Sequence, residues 1–136
     1  MRITKRTARR EALKNGYRSK FELQFSKKLE TLKIKVQYET DKIVYIQPEK
    51  QRTYIPDWTI GKNRYIETKG RFTAQDRQKV LCVIKSNPKI KLYLLFQNAK
   101  VTLSKVSKTS YGDWCDKNNI EWADIKDENK WLSWIK

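Results

Sequence analysis

The chain has 136 residues and a formal net charge of +16, from 31 lysines and arginines against 15 aspartates and glutamates, and it contains no histidine. This length fits one ordinary domain with its own hydrophobic core. The missing histidine excludes Ser-His-Asp and Cys-His nucleophile systems and zinc sites with histidine ligands. Hydrolytic chemistry would therefore have to use carboxylates, lysine and a hard metal ion such as Mg²⁺ or Mn²⁺.

The first 20 residues are strongly basic, with eight lysines and arginines against one glutamate. A positive surplus predicts a polyanionic partner, because phosphate backbones release condensed counterions when they bind lysine and arginine. Nucleic acid is the first expectation, and an anionic membrane surface is the main alternative. Residues 1–18 are interpreted as a flexible arm, either a solvated tail or a segment that orders on DNA. By position alone, its candidate DNA-binding residues are Arg6, Arg9, Arg10 and Arg18.

Regular elements are predicted from Ser19 onward, in one domain over residues 19–136. Apolar residues recur at helical spacing from Phe21 to Leu32, and Ser19 with Glu22 has the spacing of a capping box. The order of the elements predicts a mixed α/β domain with a central sheet flanked by helices. After the first helix, the predicted elements are a half-buried strand at 34–38, a more fully buried strand at 43–46, a strand at 52–55, a hairpin turn at 61–63 with a return strand at 64–69, a helix starting near residue 73, a central strand at 90–96, a short edge strand at 101–103, a short helix at 109–118 and an apolar end at 131–135.

Two carboxylates and a lysine occur at a spacing that suits phosphodiester hydrolysis. Glu67 and Lys69 lie two residues apart in a predicted strand, so their side chains share a face. A tight hairpin would bring Asp57 beside Glu67, where the pair could hold one or two divalent ions. Lys69 could then position a water molecule or stabilise charge in the transition state. The alternative is a turn aspartate and a solvent-facing Glu67–Lys69 pair.

The segment from Pro56-Asp57 to Glu67-Thr68-Lys69 resembles the PD-(D/E)xK nuclease motif. A wider resemblance, from about residue 17 to residue 124, is to the phage endonuclease I family of Holliday-junction resolvases. It implies a restriction-endonuclease-like core and a metal-dependent endodeoxyribonuclease that resolves four-way and other branched DNA junctions. The stretches that carry this resemblance are 17–22, 53–57, 67–70 and 109–115.

The resemblance also implies the roles of individual residues. Asp57 and Glu67 match the principal metal ligands, and Lys69 matches the catalytic lysine. The backbone carbonyl of Thr68 is implied as a further ligand, and Glu22 matches a catalytic glutamate of the first helix that joins the metal-binding cluster. The capping box with Ser19 is the alternative explanation of Glu22. The implied cofactor is Mg²⁺ or Mn²⁺, with one or two ions per site.

Family members form intertwined homodimers, in which the first-helix glutamate of one chain completes the site of the other. Residues 47–51 are polar and include Pro48, and they are interpreted as an extended connector between subunits. A connector that cannot fold back tightly favours exchange of the elements before it. Glu22 of one chain would then join the motif residues of the other, and the two-fold dimer would make paired nicks in a branched junction.

Two other functions stay open from the sequence: a mismatch or flap nickase on the same scaffold, and a non-catalytic basic DNA-binding module.

No apolar run approaches the roughly 20 residues that span a bilayer, and the start lacks the apolar stretch of a signal peptide. No membrane partner is expected, since nucleic acid is preferred over an anionic membrane surface as the polyanionic partner. Cys82 and Cys115 are too few for a disulfide scaffold and are expected to be buried thiols. The expected location is the cytoplasm, that of the host cell if a phage encodes the chain.

Overall fold

The structure is a computed structural model that describes residues 12–13, 15–47 and 50–136. It divides the chain into two compact units, Met1–Lys35 and Val36–Lys136. The first unit contains helix α1 (Lys20–Thr31), and the remaining elements belong to the second. These are β1 (Gln37–Tyr38), β2 (Ile43–Gln47), β3 (Lys50–Tyr54), β4 (Trp58–Gly61), β5 (Arg64–Lys69), α2 (Ala74–Ser86), β6 (Lys91–Phe96), α3 (Tyr111–Lys117), β7 (Trp122–Asp124) and α4 (Glu128–Ile135).

Helix α1 begins where the sequence predicts. Ser19 is its N-cap, and the Ser19 hydroxyl accepts a hydrogen bond from the backbone N–H of Glu22 at 3.1 Å. That bond satisfies one of the N–H groups that the first turn of a helix leaves without a partner. The side chains of Phe21, Phe25 and Leu29 are buried, as their helical spacing predicts.

In the described part of the second unit, five strands form a mixed sheet in the order β1-β4-β5-β6-β7. Strand β4 pairs antiparallel with both β1 and β5, whereas β5, β6 and β7 run parallel. Parallel neighbours need crossover connections, and these contain α2 between β5 and β6 and α3 between β6 and β7. The predicted mixed α/β architecture, a mixed central sheet with flanking helices, is confirmed.

Strands β2 and β3 form an antiparallel hairpin separate from this sheet. Gln47 lies opposite Lys50, and Ile43 lies opposite Tyr54. The described residues on either side of the predicted connector at residues 47–51 pair with each other and satisfy each other's backbone groups, and residues 48–49 lie outside the described residues. The role of this segment as a connector between subunits stays a prediction.

The hairpin is half-buried. Ile43 and Tyr45 are buried, whereas Val44 and Ile46 are 47% and 55% exposed. The expectation of a more fully buried strand at 43–46 is wrong, because only one face of β2 is covered. That strand is anchored to the end of α2: the Ile46 N–H donates to the Ser86 hydroxyl at 2.9 Å.

Three other boundaries differ from the sequence prediction. The strand predicted at 34–38 is limited to β1, and the one predicted at 101–103 is an isolated bridge between Thr102 and Ser110. The Thr102 hydroxyl donates to the Ser104 carbonyl at 2.9 Å, and such local bonds compete with strand ladders. Strand β7 was not predicted, because three residues are too few to display a period.

The remaining predictions of packing are largely confirmed. Trp131 and Trp134 of α4 are buried, and the Trp134 ring stacks on Tyr93 with centroids 4.6 Å apart. Cys115 is buried as expected, whereas Cys82 is only partly buried. Among the described residues, no helix has the length and apolar character needed to cross a membrane.

Candidate active site

Three of the predicted site residues meet at the central strand of the sheet. Strand β5 lies between β4 and β6, and Trp58 of β4 is opposite Ile66 of β5. Asp57 precedes β4, so continuing the antiparallel register sets it beside Glu67. Lys69 ends β5 on the same face as Glu67. The hairpin predicted through residues 61–63 therefore brings the two carboxylates together, as the sequence analysis expects.

The Asp57 carboxylate is buried and held by its neighbour across the hairpin. Its Oδ2 accepts hydrogen bonds from the backbone N–H of Thr68 at 3.0 Å and from the Thr68 hydroxyl at 2.8 Å. The indole N–H of Trp58 donates to the same hydroxyl oxygen at 3.4 Å. The Asp57 backbone carbonyl accepts from the N–H of Glu39 at 2.9 Å. Both the main chain and the side chain of Asp57 are thus fixed.

The Glu67 carboxylate is also buried, and its Oε2 accepts a hydrogen bond of 2.6 Å from the Tyr54 hydroxyl. Burial raises the pKa of Glu67 well above its usual range, and the nearby charge of Asp57 raises it further. The charge of Lys69 and the hydrogen bond from Tyr54 oppose that rise in the pKa only in part. An environment of this kind favours a proton or a cation next to the carboxylates.

Lys69 is held by the first turn of helix α2. Its Nζ lies 3.5 Å from Oδ1 of Asp76. Asp76 also closes the capping box of α2, because its Oδ2 accepts from the N–H of Thr73 at 2.9 Å. Although burial opposes it, the hydrogen bonds from Thr73 and the charge of Lys69 lower the pKa of Asp76. The carboxylate therefore stays charged and keeps the ammonium group in place.

A small cavity opens beside these groups. Its volume is about 40 Å³, which is room for at least one water molecule. It is bordered by charged and polar groups from β3, β5 and α2. The lining includes Tyr54, Glu67, Lys69, Asp76 and Lys79.

For the other predicted site residues, the structure does not test the predicted role. Glu22 lies in the first turn of α1, where its carboxylate accepts from the backbone N–H of Arg18 at 3.2 Å. Its role as a metal ligand, that of the Thr68 carbonyl and that of Arg18 in binding DNA all stay predictions. Within the described ranges, no group of three or more His, Cys, Asp or Glu side chains could hold a metal ion. Arg6, Arg9 and Arg10 lie outside the described residues.

Comparison with known proteins agrees with the resemblance to the phage endonuclease I family. The sequence matches the family model for phage endonuclease I over residues 3–135. The chain belongs to the phage endonuclease I family. It is 35% identical to Endonuclease I of Escherichia phage T7 over 117 residues, which cover 86% of this chain and 78% of that protein. It is 40% identical to Endodeoxyribonuclease 1 of Enterobacteria phage T3 over 109 residues, covering 80% of this chain and 72% of that one.

Membership of the endonuclease I family makes the chain an endonuclease. Three groups near its candidate site were not predicted from the sequence. These are the Tyr54 hydroxyl, the side chain of Thr68 and the carboxylate of Asp76. The Thr73–Asp76 spacing predicts a helix start, but nothing in it signals the pairing of Asp76 with Lys69. Tyr54 gives no signal of its own, because its contact depends on how the β2–β3 hairpin packs.

Proposed function

We propose that this endonuclease resolves four-way (Holliday) and other branched DNA junctions by metal-dependent hydrolysis of phosphodiester bonds. The observation that carries the proposal is the buried carboxylate pair of Asp57 and Glu67 with Lys69 on the same face. The net charge of +16 supports a polyanionic substrate. As a phage-type protein, the enzyme would act in the cytoplasm of the host cell.

The donor set suits a hard divalent cation. Two buried carboxylates in close contact repel each other, and the raised pKa of Glu67 reflects that repulsion together with burial. Asp57 and Glu67 would hold Mg²⁺ or Mn²⁺, one or two ions per site, with the Thr68 carbonyl and Glu22 as further ligands. When bound, such an ion supplies positive charge that neutralises the scissile phosphate and makes a neighbouring water more acidic.

Lys69 would act directly on the reacting groups. Its ammonium group is partly exposed and tethered to Asp76, so it points from the end of β5 with limited freedom. In that position it can orient the attacking water by donating a hydrogen bond, or it can stabilise negative charge that develops on a phosphate oxygen.

The working form would be a two-fold homodimer with composite sites, in which Glu22 of one chain serves the site of the other. Val44 and Ile46 are exposed apolar side chains on one face of the β2–β3 hairpin. Such a face is suited to being covered by a second subunit. A two-fold axis would set two sites symmetrically, as paired nicks across a four-way junction require. Selectivity for branches would come from the shape of a basic surface rather than from base contacts. Arg6, Arg9, Arg10 and Arg18 would bind phosphates outside the cleavage site.

The deciding experiment compares a synthetic four-way junction with a linear duplex of the same sequence, with Mg²⁺ and with EDTA. Paired nicks in the junction alone, and only with Mg²⁺, are expected. Equal cleavage of both substrates, or cleavage in EDTA, would contradict the proposal. Flapped and mismatched duplexes in the same panel test the alternative of a nickase on this scaffold.

The variant Asp57→Asn separates catalysis from binding. It removes one negative charge from the metal site, so cleavage should fall by at least about 100-fold, while junction binding in EDTA persists. Glu121→Gln is the matched control, because Glu121 pairs with Lys91 on the surface at 3.1 Å and lies outside the site. Loss of junction binding together with cleavage would count against the assignment of Asp57 as a metal ligand of the cleavage site.

A further inference from the structure

We propose that Tyr54 and Thr68 are positioning residues of the carboxylate pair: each holds one oxygen of one carboxylate and thereby directs its second oxygen toward a metal ion. This inference rests on the proposed function, and it assigns a task to two side chains that the motif leaves without one.

Tyr54 fixes Glu67. Its hydroxyl donates to Oε2 at 2.6 Å, and its ring is buried at the end of β3, where it lies opposite Ile43. The Nζ of Lys79 lies over the ring, 5.3 Å from its centroid. A buried aromatic ring has few alternative rotamers, so its hydroxyl is a fixed point rather than an adjustable one. The Glu67 carboxylate can turn only by losing this bond.

Thr68 fixes Asp57 through two donors on one oxygen. The backbone N–H and the hydroxyl both donate to Oδ2, at 3.0 and 2.8 Å. The hydroxyl oxygen also accepts from the indole N–H of Trp58 at 3.4 Å. A hydroxyl has one hydrogen to donate, and the indole occupies its acceptor side, so that hydrogen is directed to Asp57. The Trp58–Thr68–Asp57 chain therefore sets the direction of the carboxylate.

The two arrangements have the same logic. In each, an uncharged hydroxyl holds a single carboxylate oxygen, Oε2 of Glu67 or Oδ2 of Asp57, and adds no charge that would compete with a cation. Carboxylates that ligate metals are commonly oriented by such outer partners, and losing one typically weakens metal binding about 10- to 100-fold. The hydroxyls of Tyr54 and Thr68 should have effects in this range.

The test is titration of the full chain with Mn²⁺ by isothermal calorimetry, without DNA. Tyr54→Phe and Thr68→Val each remove a hydroxyl with little change in shape, and about 10- to 100-fold weaker Mn²⁺ binding is expected from each. Thr68→Ser restores the hydroxyl and should bind within about threefold of the unmodified protein, a rescue that a purely packing role of Thr68 would not produce.

Two matched controls remove hydroxyls elsewhere in the same unit. Tyr65→Phe removes the hydroxyl of a tyrosine in β5, which is hydrogen-bonded to Asp41. Thr59→Val removes a hydroxyl that, among the described residues, has no hydrogen-bond partner. Both controls should bind Mn²⁺ as the unmodified protein does. Junction binding in EDTA should stay unchanged in Tyr54→Phe and Thr68→Val, because the altered hydroxyls hold carboxylates and not DNA.

The outcomes separate this inference from the function on which it rests. Unchanged Mn²⁺ affinity in both Tyr54→Phe and Thr68→Val, with clear binding by the unmodified protein, would overturn the positioning role alone. Equal weakening in the Tyr65→Phe and Thr59→Val controls would overturn it too, since the effect would then be general. No Mn²⁺ binding by the unmodified protein would overturn the metal site and the positioning role together.

Discussion

The Nζ of Lys69 lies 3.5 Å from Oδ1 of Asp76, and the other oxygen of Asp76 caps helix α2 by accepting from Thr73. One carboxylate thus anchors the start of a helix and holds the lysine proposed for catalysis. The consequence is that the position of Lys69 depends on a residue outside the nuclease motif.

Asp76→Asn should lower the cleavage rate several-fold while leaving most of the stability intact. Asparagine keeps an oxygen for the Thr73 N–H but loses the charge that attracts Lys69. Single-turnover cleavage of a four-way junction and thermal melts measure the two effects. Asp113→Asn is the control, since Asp113 closes the same kind of capping box with Ser110 in α3. A similar loss of cleavage in both variants would contradict a special link between Asp76 and Lys69.

Glu67→Gln should make the metal-free protein more stable at neutral pH while abolishing cleavage. The folded-state pKa of Glu67 is raised by burial and by Asp57, above its ordinary value of 4.5. Because the folded state binds this proton more tightly than the unfolded state does, protonated Glu67 stabilises the fold. That contribution is fully present below about pH 4.5 and is lost as the pH rises through the raised folded-state pKa. Glutamine is neutral throughout and can still accept from Tyr54, so it avoids that loss.

Thermal melts in EDTA at pH 4 and pH 8 check this expectation. The midpoint of the Glu67→Gln variant should exceed that of the unmodified protein at pH 8, by about 3–5 °C for each kcal/mol gained. The difference should disappear at pH 4. An advantage of equal size at both pH values would show that its origin is not the charge of Glu67.

Burial of the Cys115 thiol predicts a loss of stability at high pH. Burial, assisted by the charge of Asp116, raises the pKa of Cys115 from 9.0 to about 12. The protonated thiol therefore contributes to the free energy of unfolding. This contribution is fully present below pH 9 and is lost as the pH rises toward 12. The slope from this one group is at most about 1.4 kcal/mol per pH unit.

Urea unfolding between pH 8 and pH 11, compared with a Cys115→Ala variant, isolates this contribution from the tyrosines and lysines. The alanine variant will be less stable overall, because it leaves a cavity, but its stability should fall less steeply with pH. Cys82→Ala serves as the control, since Cys82 is only partly buried. Parallel pH profiles for the unmodified protein and Cys115→Ala would count against the prediction.

Thr59→Val should stabilise the protein by about 1 kcal/mol. In the described structure the Thr59 hydroxyl is buried without a hydrogen-bond partner, so the folded state loses its hydration without a replacement. Valine has the same shape and a high preference for strands. Urea unfolding of the variant measures the gain, and Thr53→Val on the exposed face of β3 is the comparison. A loss of stability at position 59 would indicate that the hydroxyl is satisfied in solution.

The carboxylate pair could be predicted from the sequence because it depends on local geometry. Asp57 and Glu67 are joined by a short hairpin, and a hairpin fixes which residues face each other. The partners of these residues could not be predicted in the same way. Tyr54 reaches Glu67 only through packing of the β2–β3 hairpin, and Asp76 meets Lys69 only through the start of the crossover helix. Such contacts depend on the arrangement of elements, which periodicity does not encode.

The errors in the fold have a similar origin. Hydrophobic residues at 43–46 indicate a strand, but the exposure of Val44 and Ile46 depends on what covers each face. The polar composition of residues 47–51 gives no sign of pairing, yet Gln47 and Lys50 face each other. Composition identifies segments that favour a conformation, whereas their partners follow from the tertiary structure.

Strand β5 serves several tasks within six residues. Arg64 donates to the Trp134 carbonyl at 2.8 Å, and Ile66 is completely buried. Glu67, Thr68 and Lys69 form the site with Asp57. A deep mutational scan should therefore find few neutral substitutions in β5 beyond conservative ones such as Tyr65→Phe and Thr68→Ser, whereas the exposed Lys62 in the preceding turn should accept many. The evolutionary freedom of this enzyme lies around its central strand rather than in it.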